Sequence, residues 1–385
     1  MANCFLLLLL VISSAGTAQQ PCNSGGPTEA VLAWPAWRFD ACQTGFNPYE
    51  FILSPATVGH LVLDWRYRTV QPIVGSSATV ADGLVYIGTY DGRLYAVEAG
   101  DGGLLWSYLA QGTINTSPAV ANGVVYFQSS AGYVYALNAR TGVFLWSFGT
   151  GGPEGDSSSP TVANGVVYFG ALDRNVHAVN ATTGAPLWQY MTGAFVFASP
   201  AVANGVVYVG SEDFNMYALN ASTGALLWQY TTGGVVDTSP AVVNGAVYFG
   251  ADRNLYALNA GTGALLWKYM VAGYAGSVAV ANGVVYLESG NNLYAVDASS
   301  GELRWRVTLP TELTGAPAVA NGVVYVASYD GNLIALNASN GAPLWGYPTM
   351  GFYSSPAVAN GMVYIGSNDG YEYIGYLYAF HLPNH

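Results

Sequence analysis

The sequence predicts an all-β fold, an eight-bladed β-propeller of four-stranded antiparallel blades, and two recurring stretches carry the prediction. The first is ALNASTGALLW at 218–228, with near-copies at 136–146, 178–188, 257–267 and 335–345 and looser copies ending at Trp106 and Trp305. The second is S-P-A-V-x-N-G-V-V-Y or a close variant, ending at Tyr86, Tyr126, Tyr168, Tyr208, Tyr248, Tyr286, Tyr325 and Tyr364. Counting the lone Trp65, both markers occur eight times. Their period is about forty residues, the mark of a repeat architecture.

One repeat shows what each unit builds. In 199–228, SPAVA is a short apolar run, and Asn204-Gly205 is a strong two-residue hairpin signal. VVYVGS, a polar turn at 212–215, MYALN, a Ser-Thr-Gly turn and ALLWQY follow. Four short strands and three tight turns make one antiparallel sheet, and nothing in the unit has helical period. Eight such sheets around an axis give a propeller. Within the motif, Asn220 is placed to accept from backbone N–H groups of the turn, and Gly224 is free to take positive φ. Trp228 offers a flat surface and one N–H to the wedge between neighbouring blades. The same structural docking role is expected of Trp65, Trp106, Trp146, Trp188, Trp267, Trp305 and Trp345.

A-L-N-x-x-T-G-x-x-x-W resembles the tryptophan-docking motif of quinoprotein alcohol dehydrogenases and of the wider PQQ-repeat propellers, which include the outer-membrane assembly lipoprotein BamB. The family motif usually has Asp where this chain has Asn; Asp297 keeps the acid. The resemblance covers roughly residues 34 to 382. It implies the eight-bladed fold, and for function it implies either an enzyme or a non-catalytic scaffold.

Taken in order, residues 1–18 read as a secretory signal peptide. Phe5 to Ile12 is apolar, and Gly16-Thr17-Ala18 offers small residues for cleavage. Cys22 follows Gln19, Gln20 and Pro21 rather than the small residues a lipoprotein needs, so export without a lipid anchor is expected. Cys4 leaves with the signal, and Cys22 and Cys42 remain. An even pair in an oxidising compartment predicts one disulfide, with two free thiols as the alternative. Residues 19–60 form an N-terminal extension outside the repeat. Trp37, Asp40, Thr44 and Gly45 resemble the segment that precedes the first blade in PQQ-repeat proteins. Trp34 and Trp37 are expected under or beside the propeller.

The propeller occupies 61–382. Leu61 to Tyr67 reads as the fourth strand of a blade, and Ser355 to Leu382 reads as three strands lacking a fourth. Pairing the two closes the ring and removes an exposed edge. No later stretch is long and apolar enough for a transmembrane helix, so no membrane insertion is expected.

The composition narrows the partners. Ten basic residues against twenty-two acidic give a net charge of −12, and Lys268 is the only lysine. Nucleic acid and anionic membranes need clustered positive charge, so neither is expected. Sequons begin at Asn115, Asn180, Asn220 and Asn337, three of them inside the structural motif.

Strand direction sorts the loops. The Asn-Gly and Thr-Gly turns share one nearly invariant face. The turns between second and third strands and the loops after each tryptophan strand share the other, which varies and is where function on a repeat scaffold normally lies. There, Glu154, Asp156, Asp237, Tyr274, Tyr353, Tyr371 and Tyr373 form a candidate ligand surface. Asp91, Asp173, Asp213, Asp252, Glu288 and Asp330 are assigned to the turns between strands two and three. With four histidines and no paired spacing there is no zinc signature. Nucleophile elbow, Walker loop and dinucleotide fingerprint are also absent.

The family's enzymes hold PQQ against calcium on the propeller axis, and its alcohol-oxidising members place a vicinal Cys-Cys pair against the cofactor. This chain has no adjacent cysteines, and its innermost strands supply Ser, Ala and Val without a carboxylate. The expectation is therefore a secreted or periplasmic, monomeric, non-catalytic binding or scaffold module for protein or glycan, with no cofactor. The alternatives are a PQQ-dependent alcohol or sugar dehydrogenase, with calcium, and an envelope assembly scaffold resembling BamB.

Overall fold

The computed structural model describes residues 33–155, 158–349, 351, 354–368 and 374–383. The predicted signal peptide, Cys22, Asp156, Tyr353, Tyr371 and Tyr373 lie outside the described residues. Eight antiparallel four-stranded blades form a propeller ring. Blade one runs from Thr79–Ala81 through Leu84–Gly88 and Arg93–Glu98 to Leu104–Leu109, and its inner strand borders the axis. Blades two to seven repeat that order. Blade eight takes its first three strands from Ala357–Ala359, Met362–Asn368 and Gly375–His381, and its fourth from Val62–Arg68. The join is antiparallel, with Arg66 opposite Tyr378. The ring is closed by strands from the two ends of the chain, as the half-units at each end predict.

Every blade carries the same irregularity. In blade four, Ala218 faces Trp228 but Leu219 faces Leu226, so Leu227 is an extra residue. Equivalent shifts precede the tryptophan in the other seven blades. A bulge bends the strand and re-aims the side chain beside it.

The tryptophans are joined to the following blade. Trp228 Nε1 donates to the Ala260 carbonyl at 2.9 Å, and Trp188 donates to Ala221 at 2.9 Å. Trp345 donates to Leu61 at 3.0 Å, so the set of bonds returns to its starting blade. A second-strand tyrosine often shares the same acceptor, as Tyr208 does with Ala260 at 3.1 Å. Trp and Tyr rings of one blade lie tilted against each other, 5.9 Å apart for Tyr208 and Trp228.

Gly224 shows why a glycine recurs in this turn. Its φ is +71°, and a Cβ there would stand 2.7 Å from the Trp188 ring. Gly205, with φ +77°, has nothing within 4 Å of such a Cβ. Gly205→Ala therefore meets backbone strain of about 1–3 kcal/mol alone, whereas Gly224→Ala adds a clash with a rigid ring. We expect Gly224→Ala to lower the denaturant midpoint clearly further than Gly205→Ala. Equal shifts would show that the ring contact contributes nothing.

Candidate functional site

The inner strand of each blade presents one edge to the axis, and an edge is a row of unpaired N–H and C=O groups. Here the N-terminal extension occupies that place. Trp34 and Val80 exchange both backbone hydrogen bonds, at 2.8 and 2.9 Å. The amide of Val120 then donates to Pro35, Val202 to Ala41, Val242 to Cys42, Val280 to Thr44 and Val319 to Gly45. Phe46–Asn47 adds a parallel fifth strand to blade seven. The two remaining blades are reached by side chains. Gln43 Nε2 donates to Thr161 Oγ1 at 2.9 Å in blade three, and Asn47 Nδ2 donates to the Val358 carbonyl at 2.8 Å in blade eight.

The extension thus makes one circuit of the channel; its backbone meets blades one, two, four, five, six and seven in order, while the Gln43 side chain reaches back to blade three. This corrects the expected position of Trp34, which pairs with the inner strand of blade one rather than lying under or beside the ring. The reason is physical: unpaired valine amides around the axis need acceptors, and this segment supplies them. Tight coiling has a conformational cost, since Arg38, Phe39 and Gln43 take positive φ of 54°, 78° and 59°. Below the coil, Glu50 Oε1 accepts from Ile52 and Leu53 and Oε2 accepts from Gly361 at 2.8 Å, which fastens the chain to the invariant face. Cys42 is buried and disulfide-bonded; its expected partner Cys22 lies outside the described residues.

Besides Glu50 below the coil, three charged groups are buried in this region: Arg38, Asp40 and Glu288. Arg38 Nη1 donates to the Ser239 carbonyl at 2.7 Å. Burial lowers its pKa to about 9, against the opposing pull of Asp40 and Glu288. Burial pushes Asp40 up to about 6, although hydrogen bonds from Thr44, the Arg38 charge and the Cys42 amide favour its ionised form. Glu288 rises well above the ordinary carboxylate range for the same reason, against the attraction of Arg38. Glu288 also corrects the sequence assignment. It lies on the strand Val284–Ser289 rather than in a turn. It stands where other second strands have Gly88, Gly170, Gly210, Gly250 and Gly366, a difference visible by aligning V-V-Y-L-E with V-V-Y-V-G.

The expected ligand surface is less concentrated. Glu154, Asp237 and Tyr274 are all exposed, and among the described residues no hydrogen bond or ion pair joins them. Asp237 lies two residues before Ser239, at the rim of the axial mouth, and partial desolvation raises its pKa. Other large aromatics exposed on this face are Tyr90, Phe195, Phe214 and Tyr329, none of which is in the candidate set read from the sequence. His177, a substitute for tyrosine, stacks on Phe169 and places Nε2 2.8 Å from Asp173 Oδ2; Tyr217 makes the equivalent contact with Asp213. It is part of the blade.

A calcium-bound quinone needs several oxygen ligands converging on a cation. Among the described residues no group of three His, Cys, Asp or Glu side chains gathers to hold a metal ion. The axial charges are one arginine and two acids that burial draws toward their neutral forms. The residues present do not fit that group.

Fold and axis together define a closed eight-bladed propeller whose channel is lined by its own N-terminal segment. The chain belongs to the PQQ-repeat family described as outer membrane protein assembly factor BamB, whose model matches residues 37–195, 152–282 and 251–371. No curated protein matches it in sequence. Among solved structures it is similar to the quinohemoprotein alcohol dehydrogenase ADHIIG from Pseudomonas putida HK5, with TM-score 0.79, 17% identity, and coverage of 92% of this chain and 81% of that one. It is also similar to BamB from Moraxella catarrhalis, with TM-score 0.71, 20% identity, and coverage of 83% and 99%. A computationally designed protein, Ika8, aligns with TM-score 0.72, 18% identity, and coverage of 81% and 96%. At these identities the likeness is one of fold.

The buried acid at the axis makes stability depend on pH. Asp40 has a folded pKa of about 6 against an ordinary 3.8, so folding favours its protonated form. That contribution is fully present below 3.8 and is lost as the pH rises through 6; its full size is about 3 kcal/mol. We expect wild type to gain stability from pH 8 to pH 5, and Asp40→Asn to lose part of that gain in denaturant titrations. Identical pH profiles would show that Asp40 is not the group responsible.

Proposed function

We propose that this protein is an exported, non-catalytic scaffold that takes a protein partner through its variable face. The observation that carries the reading is the use of the axis. Resemblance to the quinoprotein enzymes directs attention there, yet in this chain the inner edges of the blades are engaged by the N-terminal segment. Binding then falls to the loops around the mouth.

The residue types on those loops support a protein partner. Tyr274 is 78% exposed, and Tyr90, Phe195, Phe214 and Tyr329 are exposed on the same face. Large aromatics are the usual anchors of protein interfaces. A net charge of −12 favours a partner with a basic surface. Among the described residues no helix is long and apolar enough to cross a membrane. The BamB family membership is in keeping with an assembly role at an envelope. Export rests on the apolar stretch at residues 5–12 and the small residues after it.

Two measurements test the reading. Purified protein mixed with PQQ and calcium should show neither bound-cofactor absorbance nor dye reduction with alcohols or aldoses. Cross-linking in the producing cell should capture a discrete protein, and Tyr274→Ala with Phe214→Ala should reduce its yield severalfold while leaving the circular dichroism unchanged. Stoichiometric PQQ binding with turnover would overturn the proposal. Capture of saccharide but no protein by the same face would replace the partner class.

A further inference from the structure

On the variable face, the gap between blades six and seven opens into a cleft of about 580 Å³, lined by Asn291, Pro310, Thr311, Glu312, Tyr329 and Asp330. Ligand clefts commonly measure about 300–1,000 Å³. Blade four shows how the equivalent aspartate is held elsewhere. Asp213 Oδ2 accepts from the Gly193 amide of the preceding loop at 2.6 Å and from the Tyr217 hydroxyl at 2.7 Å. Counted from the marker tyrosines Tyr208 and Tyr325, Asp330 is the counterpart of Asp213, and Ile334 of Tyr217. Counted from Trp188 and Trp305, Pro310 is the counterpart of Gly193. Proline has no N–H and isoleucine no hydroxyl, so neither tie forms in blade seven. Other bonds carry this loop. The Leu309 amide donates to Asn291 at 2.8 Å, Leu313 to Gly290 at 2.9 Å, and Tyr329 to Glu312 at 2.8 Å. The first strand of blade seven also runs Leu313–Ala320, against three or four residues in the other blades, and sets Leu313 opposite Ser328. Backbone pairing therefore fixes the walls of the cleft.

The cleft carries unbalanced negative charge. Glu312, Tyr329 and Asp330 are exposed, and no basic residue lines the space they share. Among the described residues, neither acid forms an ion pair. Slight burial would raise the Asp330 pKa, but hydrogen bonds from Ser328, Thr311 and Asn332 outweigh it and hold the carboxyl below its ordinary value. The Ser328 hydroxyl donates to Asp330 Oδ1 at 2.6 Å. Glu312 stands where the loop after Trp188 has Phe195 and the loop after Trp267 has Tyr274. An acid thus takes the place of an aromatic, and Tyr329 supplies a ring from the next turn, at the position of Glu212 in blade four.

We propose that this cleft seats an arginine side chain of the protein partner, with Glu312 and Asp330 facing the guanidinium and Tyr329 against its plane. The inference rests on the partner reading above and names the chemistry of one site on that face. Two carboxylates without a cation, in a chain of net charge −12, select a basic group. A guanidinium is planar, pairs with carboxylates through several N–H groups and stacks on aromatic rings, so it uses all three side chains where an ammonium uses fewer. The volume admits the side chain together with its flanking backbone. A neutral saccharide would use the ring but leave two negative charges without a counterpart. Because the cleft is open to solvent, added salt screens the attraction.

The test uses the isotope-labelled full chain and a short capped peptide with one central arginine, beside its lysine and glutamine analogues, at up to about 10 mM. The arginine peptide should shift the amide resonances of Thr311, Tyr329 and Asp330 saturably, the lysine peptide more weakly and the glutamine peptide not at all. Asp330→Asn and Glu312→Gln should each weaken binding about threefold or more, the size of a half-exposed ion pair. Glu302→Gln removes the same charge on the invariant face and should leave binding unchanged. Pro310→Gly with Ile334→Tyr restores the ties of blade four without altering charge, and should abolish binding while the circular dichroism stays that of wild type. Absence of saturable shifts in wild type, or equal weakening by Glu302→Gln, overturns the proposal. Shifts of the same amides by maltose and not by the arginine peptide overturn it too, and reassign the cleft to a sugar. If the restored pair fails to fold, Asp330→Asn and Glu312→Gln decide. Cross-linking in the producing cell separates this inference from the partner reading. A partner captured equally by wild type and by the Asp330→Asn, Glu312→Gln double variant keeps the partner and sinks the cleft. Arginine binding with no captured protein keeps the cleft and sinks the partner.

Discussion

The pairing of the inner strands with residues 34–47 is the constraint on which the rest of the molecule depends. Eight short strands arranged around an axis leave their inner amides facing a space that the extension fills. Each such amide left unmade would cost about 1–3 kcal/mol. Six are satisfied by backbone carbonyls of the extension, and side chains of Gln43 and Asn47 reach the other two blades. A segment outside the repeat therefore supplies acceptors to the inner amides of six blades. Its left-handed residues are the local cost of making the circuit in so few residues.

The outside of each blade is tied by a different interaction. The fourth strand carries a bulge before its tryptophan, the indole reaches the carbonyl of the next blade, and a glycine of that blade packs on the ring. Backbone geometry, one hydrogen bond and one glycine contact thus meet at seven interfaces; at the eighth, among the described residues, Trp345 keeps the bulge and the hydrogen bond, to Leu61, without the glycine. Because the same three elements recur, neighbouring blades adopt nearly the same relative angle, and a closed ring follows. Blade eight shows that the chain's order matters less than these contacts. Its fourth strand comes from the opposite end of the sequence, yet Trp65 donates to Ala99 as its equivalents do.

Charge enters the interior only where the repeat is broken. Arg38 and Asp40 come from the extension, and Glu288 from a blade position that is glycine in five other blades, Gln128 in blade two and Ala327 in blade seven. Small inner residues would pack the same space without desolvation cost, so the three are poor candidates for simple stabilisation. Their presence separates this axis from an apolar plug. The exposed aromatics of the variable face are equally irregular, occurring in some blades and not others. Function on this scaffold is to be sought where copies differ.

Blade number, strand order and ring closure were legible in the sequence because they are local and repeated eight times. Alternation, Asn-Gly turns and a recurring tryptophan need no knowledge of distant contacts. The half-units at Leu61 and Ser355 are complementary on their face, which made even the closure readable. The axial site was not legible. Nothing near Arg38 in sequence identifies Ser239, 201 positions away, as its acceptor, and Glu288 reads as one more turn acid until its strand is placed against the channel. Local periodicity determines the blade, but which blade meets Trp34, Gln43 or Asn47 depends on the closed ring, whose inner edges exist only after all eight sheets have assembled. That burial converts an unremarkable N-terminal stretch into an internal part of the fold, and it decides which acids and bases are removed from water.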